Sequence, residues 1–339
     1  MTKVDILIGD NRETLKTLPD KSVQCCITSP PYFGLRDYQT GKWNGGDENC
    51  SHSVGNQVAD NKAPGAIVSG VRPGVDASIC KKCGAKRIDS QIGLEKTPNE
   101  YVQELVKVFR EVKRILKDDG VLWLNIGDSY ASFRDGKATP DTTRGDSTGT
   151  LVSKGSATNR MASTFAGTSI KHKDLIGVPW MLAFALRDDG WWLRQDIIWS
   201  KPSPMPESVT DRCTKSHEYI FLLSKNSHYY FDHESIKEPT TDLEGFRNKR
   251  SVWNVATKPF KGSHFAVFPQ DLIEPCVLAG SKPGDIVLDP FGGAGTTGLV
   301  AKIHKRNAVL CELNPEYAEM ARTRIDGDPI FRDLFSDQD

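Results

Sequence analysis

The sequence predicts an α/β protein whose strands lie mostly parallel, and three stretches carry that expectation. Near the N-terminus, Val4-Asp5-Ile6-Leu7-Ile8 and Val23-Gln24-Cys25-Cys26-Ile27 are short apolar runs on either side of a helical stretch, Asn11 to Leu18. Strand, helix, strand is the repeating unit of a parallel sheet. In the middle, Val102, Leu105, Val106, Phe109, Val112 and Leu116 recur at helical spacing, and the buried-type run Val121-Leu122-Trp123-Leu124-Asn125-Ile126 follows. Near the C-terminus, Ile286-Val287-Leu288-Asp289 passes through a glycine-dense turn into a helix, and Asn307-Ala308-Val309-Leu310-Cys311 leads into a second one.

A chain of 339 residues accommodates one large α/β domain with insertions, or two domains. Lys+Arg and Asp+Glu number 44 each, so net charge gives no argument for a nucleic-acid partner and local distribution must be read instead. No apolar run has the length of a membrane span, and Met1-Thr2-Lys3-Val4-Asp5 does not read as a signal peptide. The expectation is a soluble, cytoplasmic protein with no membrane partner. Its eight cysteines then belong to the core or to a metal rather than to disulfides.

Taken in order, the first strand ends at Gly9-Asp10, and the second runs into Thr28-Ser29-Pro30-Pro31-Tyr32. Two prolines cannot continue a strand, because each lacks an N–H and fixes φ near −65°. The chain is therefore stiff just past a strand end, with hydrogen-bond acceptors and one aromatic ring side by side. That arrangement suits a planar amine; a Pro-Pro turn with a packed tyrosine is the plainer alternative.

Residues 33–94 hold little periodic apolar pattern but contain Cys50-Ser51-His52 and Cys80-Lys81-Lys82-Cys83-Gly84. The two-residue gap lets both thiolates of the second pair reach one tetrahedral ion, and the glycine eases the turn. A stretch so poor in apolar residues needs a staple. Cys50, His52, Cys80 and Cys83 are accordingly expected to form a structural zinc site, against the alternative of two unrelated loop pairs. Four protein ligands leave no open position for catalysis.

Thr97-Pro98-Asn99-Glu100 starts the middle helix with a capping residue, a proline at the first helical position and a capping-box glutamate. Asp118-Asp119-Gly120 is expected to close it. Gly127-Asp128-Ser129-Tyr130 then falls at the C-terminal end of a strand, where open α/β sheets place their sites. Residues 131–173 are a second irregular stretch, with Lys154, Arg160, Lys171 and Lys173 among Ser, Thr and Gly and no acid from Ser147 to Lys173. This reads either as a surface loop or as a segment that orders against phosphates. Val178 to Leu186 is expected as helix, and Trp191 to Trp199 and His217 to Leu223 as strands. Tyr229-Tyr230-Phe231 is read as a third, making an antiparallel hairpin at the sheet edge.

In residues 233–263, Arg247, Lys249, Arg250, Lys258 and Lys261 interleave with Phe246, Trp253 and Phe260, and no acid lies between Phe246 and Gln270. Basic and flat side chains together suit a nucleic-acid backbone and its bases; a loop packing its aromatics on the domain is the other reading. A helix from Pro269 to Leu278 precedes Asp289-Pro290-Phe291-Gly292-Gly293-Ala294-Gly295-Thr296-Thr297-Gly298. That turn lacks the lysine of a phosphate-cradling loop, and Asp289 would oppose a pyrophosphate. Glu312 ends the next strand about 20 residues on, the position from which a carboxylate takes ribose hydroxyls. A phosphate-free nucleoside carrying positive charge fits these residues, and S-adenosylmethionine is such a ligand.

With both turns read, the chain resembles the amino-directed DNA methyltransferases of the permuted, beta group. Thr28-Ser29-Pro30-Pro31-Tyr32 is similar to the family's catalytic motif, and Asp289 to Gly298 to its cofactor loop, here about 260 positions later rather than ahead of it. The resemblance implies a circularly permuted S-adenosylmethionine-dependent methyltransferase fold, a seven-stranded type of sheet with helices on both faces. Its core would comprise residues 1–32, 95–130, 174–232 and 264–327, with 328–339 a tail and 233–263 a candidate target-recognition region. It implies that Asp289, Phe291, Gly292, Gly293, Gly295 and Thr296 hold the methionine part of the cofactor. Glu312 would hold its ribose, Asp10 would lie near its adenine, Phe268 and Pro269 would close over its methionine end, and Thr297 and Asn314 would also lie at the cofactor. It implies double-stranded DNA as substrate, a base flipped out of the duplex onto Tyr32, and acceptors from Ser29 and Pro30 on its amine, with Pro31 stiffening the corner. No covalent intermediate is implied, so Cys25 and Cys26 are read as core. Ser29 before the prolines is common among cytosine-N4 enzymes, whereas Asp is common among adenine-N6 enzymes, so cytosine N4 is preferred and adenine N6 is the alternative. An RNA amino methyltransferase and a non-catalytic nucleic-acid binder are further alternatives. A homodimer and a companion restriction endonuclease stay open.

Overall fold

The computed structural model describes residues 2–34, 38, 40–52, 79–131, 168–240, 245–257 and 267–327. Contacts divide the chain into two compact units, one of residues 1–32, 102–127 and 179–339, the other of residues 33–101 and 128–178.

The first unit is built on an eight-stranded sheet. Its strands, numbered with those of the whole chain, are β1 (Val4–Ile8), β2 (Val23–Thr28), β5 (Leu116–Ile126), β6 (Trp192–Ser200), β7 (His217–Ser224), β10 (Val252–Asn254), β11 (Ile286–Asp289) and β12 (Asn307–Glu312). They lie in the order β1-β12-β11-β2-β5-β7-β6-β10. From β1 to β5 every neighbour is parallel, β7 is antiparallel to both β5 and β6, and β10 returns parallel to β6. The sheet is therefore mostly parallel, and β2, near its middle, is buried along its whole length, which is why it reads as an unbroken apolar run.

Short helix α1 (Asn11–Thr14) follows β1, and α2 (Pro98–Ile115) precedes β5. Helix α3 (Val178–Asp188) precedes β6, α4 (Gln270–Gly280) precedes β11, α5 (Thr296–Ile303) separates β11 from β12, and α6 (Pro315–Asp326) follows β12. The core joins alternate residues of the central strands, Cys25 and Ile27 with Val121 and Trp123, to Leu272, Ile273, Cys276 and Val277 of α4. That alternation is the period of two expected of strand residues sharing one face. A smaller cluster of Leu310, Ala321 and Ile325 seats α6 on β12.

Three expectations are corrected. The middle helix ends at Ile115, and Leu116 already pairs with Val23, so Asp118-Asp119-Gly120 lies within β5 rather than closing the helix. Tyr229-Tyr230-Phe231 is not a strand; Phe231 packs near Trp123 instead, with ring centroids 6.1 Å apart. The sheet edge is β10, drawn from a region expected to be irregular, because Trp253 needs the core that the hairpin exposes.

In the second unit, β3 (Lys42–Asn44) and β4 (Lys86–Ile88) form a two-stranded antiparallel ribbon. The Asp128 carboxylate of this unit accepts the backbone N–H groups of Gly177 and Val178, at 3.0 and 3.2 Å, ordering the approach to α3. A further small ribbon, β8 (Glu238–Pro239) with β9 (Phe246–Arg247), belongs to the first unit. Among the described residues no helix is long and apolar enough to cross a membrane.

Candidate active site

Adjacent parallel strands bring the two turns together. β11 and β2 pair directly, Val287 opposite Cys25 and Leu288 opposite Cys26, so both C-terminal ends open on the same edge of the sheet. At that edge Thr28 donates its hydroxyl to Asp289 Oδ1 at 2.6 Å. Thr297, in the first turn of α5, donates to Asp289 Oδ2 at 2.7 Å, and the Phe291 N–H reaches Oδ1 at 3.0 Å. Burial pushes the Asp289 carboxyl above the ordinary carboxylate range, against the hydrogen bonds of Thr28, Thr297 and Phe291. Asp289 is only 1% exposed. Its oxygens meet Thr28, Thr297 and the Phe291 N–H, so Asp289 ties one turn to the other. Thr296 and Thr297 are likewise buried, Thr296 Oγ1 accepting from Arg324 at 2.8 Å.

The glycines divide by task. Gly295 has φ 75° and sits so close to Ala321 that an added Cβ would lie 2.8 Å from the Ala321 Cβ; it lets α5 meet α6. Gly292 packs on Leu310 in the same way and donates to the Cys311 carbonyl at 2.8 Å. Gly293 differs. With φ 49°, an added Cβ would meet nothing nearer than the Phe291 carbonyl at 3.9 Å, so its bare backbone borders open space. Its N–H donates to Glu312 Oε2 at 2.8 Å, while Oε1 of the same carboxylate accepts the Asn314 N–H at 2.8 Å. Burial raises the Glu312 carboxyl, opposed by these backbone donors. Asn314 caps α6 by accepting the Glu316 N–H at 2.9 Å.

Strand β12 lies between β1 and β11, so Glu312 stands between the glycine turn and Asp10. Asp10 caps α1 and holds Arg12 at 2.7 Å, and Arg12 reaches Glu104 at 3.0 Å. Burial alone would raise the Asp10 carboxyl, but the hydrogen bonds and charge of Arg12 outweigh it and hold it low. Asn11, which the sequence did not single out, donates to the Pro290 carbonyl at 2.9 Å and fastens the β1 end to the glycine turn. Phe268 is half-buried against the core and Pro269 begins α4, which packs on β2 and α5.

At the diproline corner, Pro30 is buried, Ser29, Pro31 and Tyr32 are half-buried, and no described residue hydrogen-bonds the Ser29 hydroxyl. The Tyr32 hydroxyl donates to Glu218 Oε2 at 2.6 Å, with Asn125 Oδ1 3.3 Å away. Asn125 Nδ2 donates in turn to the Tyr219 carbonyl at 3.1 Å. Lys201 pairs with the other Glu218 oxygen and lies 4.2 Å over the Trp199 ring. The ring of Tyr32 rests on Gly127, where an added Cβ would sit 2.6 Å from its Cε2. Three strand ends thus position one ring. Sequence reading missed Asn125, Lys201 and Glu218, and it marked Gly127 only as part of a strand end where such sheets place their sites. Cys25 and Cys26 are buried, and burial pushes both thiols far above their ordinary range, so neither serves as a nucleophile.

Cys50, His52, Cys80 and Cys83 of the second unit converge, all four ligand atoms lying within 4.8 Å of one another. The expected nucleic-acid residues fare unevenly. Trp253 is a correction: it is 5% exposed, packs near Trp123 and donates its indole N–H to the Arg250 carbonyl at 2.7 Å. Arg247 is paired with Glu238 at 3.0 Å. Lys249 lies 5.1 Å over the Trp253 ring, Arg250 is exposed, and Phe246 is 72% exposed beside them. Lys171 is exposed in the second unit. Lys154, Arg160, Lys258 and Lys261 lie outside the described residues.

A sequence model of the DNA methylases, described as an N6/N4 methyltransferase family, matches residues 23–323. The Type II methyltransferase M.SmaI of Serratia marcescens is 47% identical over 321 residues, covering 94% of this chain and 90% of that one. M.Cfr9I of Citrobacter freundii is 44% identical over 320 residues, covering 94% and 87%. Among solved structures, the cytosine-N4-specific PvuII DNA methyltransferase aligns with a TM-score of 0.60 at 18% identity over 99% of this chain and 92% of that one. A Thermus thermophilus protein solved with S-adenosyl-L-methionine aligns with a TM-score of 0.54 at 21% identity, covering 95% and 93%. Likeness at these identities shows a shared fold.

Two outcomes are expected from the geometry. Gly127→Ala should displace the Tyr32 ring and lower kcat on DNA at least about 10-fold while S-adenosylmethionine affinity stays within about 2-fold, since misplacement near 1 Å costs about 100-fold in such sites. Unchanged kcat would show that the ring position is unimportant. Cofactor affinity, read by calorimetry, should fall on acidification with a midpoint above that of an ordinary glutamate. A raised carboxyl takes up its proton earlier and then loses acceptor capacity. Affinity flat across the acid range would remove Glu312 from the site.

Proposed function

The chain belongs to the N6/N4 DNA methylase family, and from that premise we propose that it methylates cytosine N4, at the corner formed by Ser29, Pro30, Pro31 and Tyr32. It is an S-adenosylmethionine-dependent methyltransferase acting on an exocyclic amine of DNA. The assignment of the site rests above all on the Thr28–Asp289 hydrogen bond of 2.6 Å, which joins the diproline corner to the glycine turn across adjacent strands.

The residues fit the cofactor. Gly293 leaves room over its backbone, Glu312 offers acceptors beside it, and no lysine waits there for a phosphate. Phe291, Gly293, Glu312, Asn314 and Asp10 would hold it, with Phe268 and Pro269 near its methionine end. When bound, it supplies an electrophilic methyl group on a sulfonium. Gly292, Gly295, Thr296, Thr297 and Asp289 shape this turn from behind.

The chain's own residues would then do the rest. The amine of a paired base is engaged in the duplex, so the base must leave the stack, and Tyr32 offers a flat face to receive it. The Ser29 hydroxyl and the Pro30 carbonyl accept the amine's two N–H groups. Held that way, the nitrogen delocalises less of its lone pair into the ring and directs it outward. These acceptors strengthen their bonds as the nitrogen gains positive charge, so they favour the transition state over the ground state. Orientation supplies the remainder.

Ser29, rather than an aspartate, favours cytosine N4 over adenine N6. The Type II names of the relatives support a role as the modification enzyme of a restriction system. Phosphate contacts would come from Lys249 and Arg250 of the first unit, where Phe246 is an exposed ring, and separately from Lys171 of the second.

Nucleoside mass spectrometry on DNA methylated by the purified protein should find N4-methylcytosine, and Tyr32→Ala should lower the yield. N6-methyladenine alone would overturn the cytosine assignment. Lys249→Ala with Arg250→Ala should weaken DNA binding and flatten the log–log dependence of affinity on salt by up to about two charges. An unchanged slope would show that neither side chain meets a phosphate.

A further inference from the structure

We infer that Cys50, His52, Cys80 and Cys83 bind one structural Zn2+ that holds the β3–β4 ribbon of the second unit in shape. The ligands come from two segments, and their ligand atoms lie within 4.8 Å of one another. Cys50 Sγ is 4.0 Å from Cys80 Sγ, and Cys83 Sγ is 3.3 Å from His52 Nδ1. Tetrahedral zinc with Zn–S bonds of about 2.3 Å and Zn–N bonds of about 2.0–2.1 Å sets edges of roughly 3.8 Å between sulfurs and 3.5 Å between sulfur and nitrogen. The observed S–S separation of 4.0 Å is slightly longer, and the S–N separation of 3.3 Å slightly shorter, than those edges. None of the three cysteines is in a disulfide.

The surrounding backbone is built for the cluster. The Cys80 N–H donates to the Ala85 carbonyl at 2.7 Å, and the Gly84 N–H to the Cys80 carbonyl at 2.8 Å, closing a tight knuckle. Gly84 takes the left-handed conformation this turn needs, with φ 74°. On the facing segment Gly46 has φ 78°, and a Cβ there would lie 2.7 Å from Cys83 Sγ, so a side chain would collide with a ligand. Trp43 of β3 stacks on His52, centroids 5.0 Å apart and planes 27° from parallel, fixing the ring with Nδ1 toward Cys83.

The energetic case points the same way. Around the ribbon, Cys80 and Ala85 are buried but Ile79 and Ile88 are 45% and 50% exposed. An isolated two-stranded ribbon with so little apolar cover is marginal in water. Metal binding supplies the missing stability. Three sulfurs and one imidazole select a borderline-soft ion over magnesium or calcium. Four protein donors leave no open position, which assigns the ion a structural role.

The full-length protein, purified without chelator, is analysed for metals by plasma mass spectrometry, with no DNA or cofactor present. One zinc per chain is expected; absence of zinc, or iron as the main metal, would overturn the proposal. In the native protein, chelator should release the zinc and raise the number of titratable thiols by three, those of Cys50, Cys80 and Cys83. Cys50, Cys80 or Cys83 already reactive before chelation, beyond the exposed Cys213, or a Cys50–Cys80 disulfide found by mass spectrometry, would contradict it. Cys83→Ser and His52→Ala should each lose zinc, while Cys213→Ser, an exposed cysteine outside the cluster, should keep it. Should the variants fail to fold, cobalt exchange into the wild-type protein decides: tetrahedral thiolate–cobalt bands support the site, and an octahedral spectrum refutes it. None of these readouts depends on methyl transfer.

Discussion

A carboxylate enclosed by two threonines is the constraint on which the site depends. Asp289 sits at the end of β11 with donors from Thr28, Thr297 and its own turn. An ionised group in that position is costly to bury unless its oxygens are met by donors, and here three are supplied. Each donor belongs to a different element: the end of β2, the first turn of α5, and the glycine turn itself. The corner that would grip the amine and the turn that would hold the donor are thereby fixed by one side chain. They are 261 positions apart in sequence, yet neighbours in the sheet. Chain order is irrelevant to such a site as long as the two strands lie side by side.

The second constraint acts on the ring of Tyr32. Its hydroxyl is anchored by Glu218, which Lys201 neutralises, and its edge rests on the bare backbone of Gly127. Glu218 and Lys201 are 16% and 18% exposed in their side chains, so the pair is largely removed from water. A pair of this kind adds little net stability but specifies geometry, because breaking it strands a buried charge. This anchoring leaves the Tyr32 ring available as a rigid platform rather than a swinging one.

Much of this was legible in the chain. The strand ends at Thr28, Asp289 and Glu312 follow from apolar runs stopped by proline or glycine, and the Cys and His spacing anticipated that Cys50, His52, Cys80 and Cys83 converge. What stayed hidden depends on lateral neighbours, which sequence periodicity does not encode. The tie from Asp289 to Thr28 stayed hidden because nothing in its own strand announced Thr28 beside it. Trp253 was read as a surface ring because basic residues flank it, whereas pairing of β10 with β6 turns it onto Trp123. Glu218 carried no motif at all, and Gly127 only its place at a strand end; their importance arises only where β5 and β7 lie antiparallel.

Whether the diproline corner and the glycine turn form one site is decided by a co-crystal structure. The protein is crystallised with a non-reactive analogue of S-adenosylmethionine and duplex DNA carrying its target base. The expected structure has an extruded base on Tyr32, its amine held by Ser29 and Pro30, with the nitrogen in line and about 3–3.5 Å from the methyl position of the cofactor. A cofactor seated away from Gly293 and Glu312, or a base bound on another edge of the sheet, would contradict it.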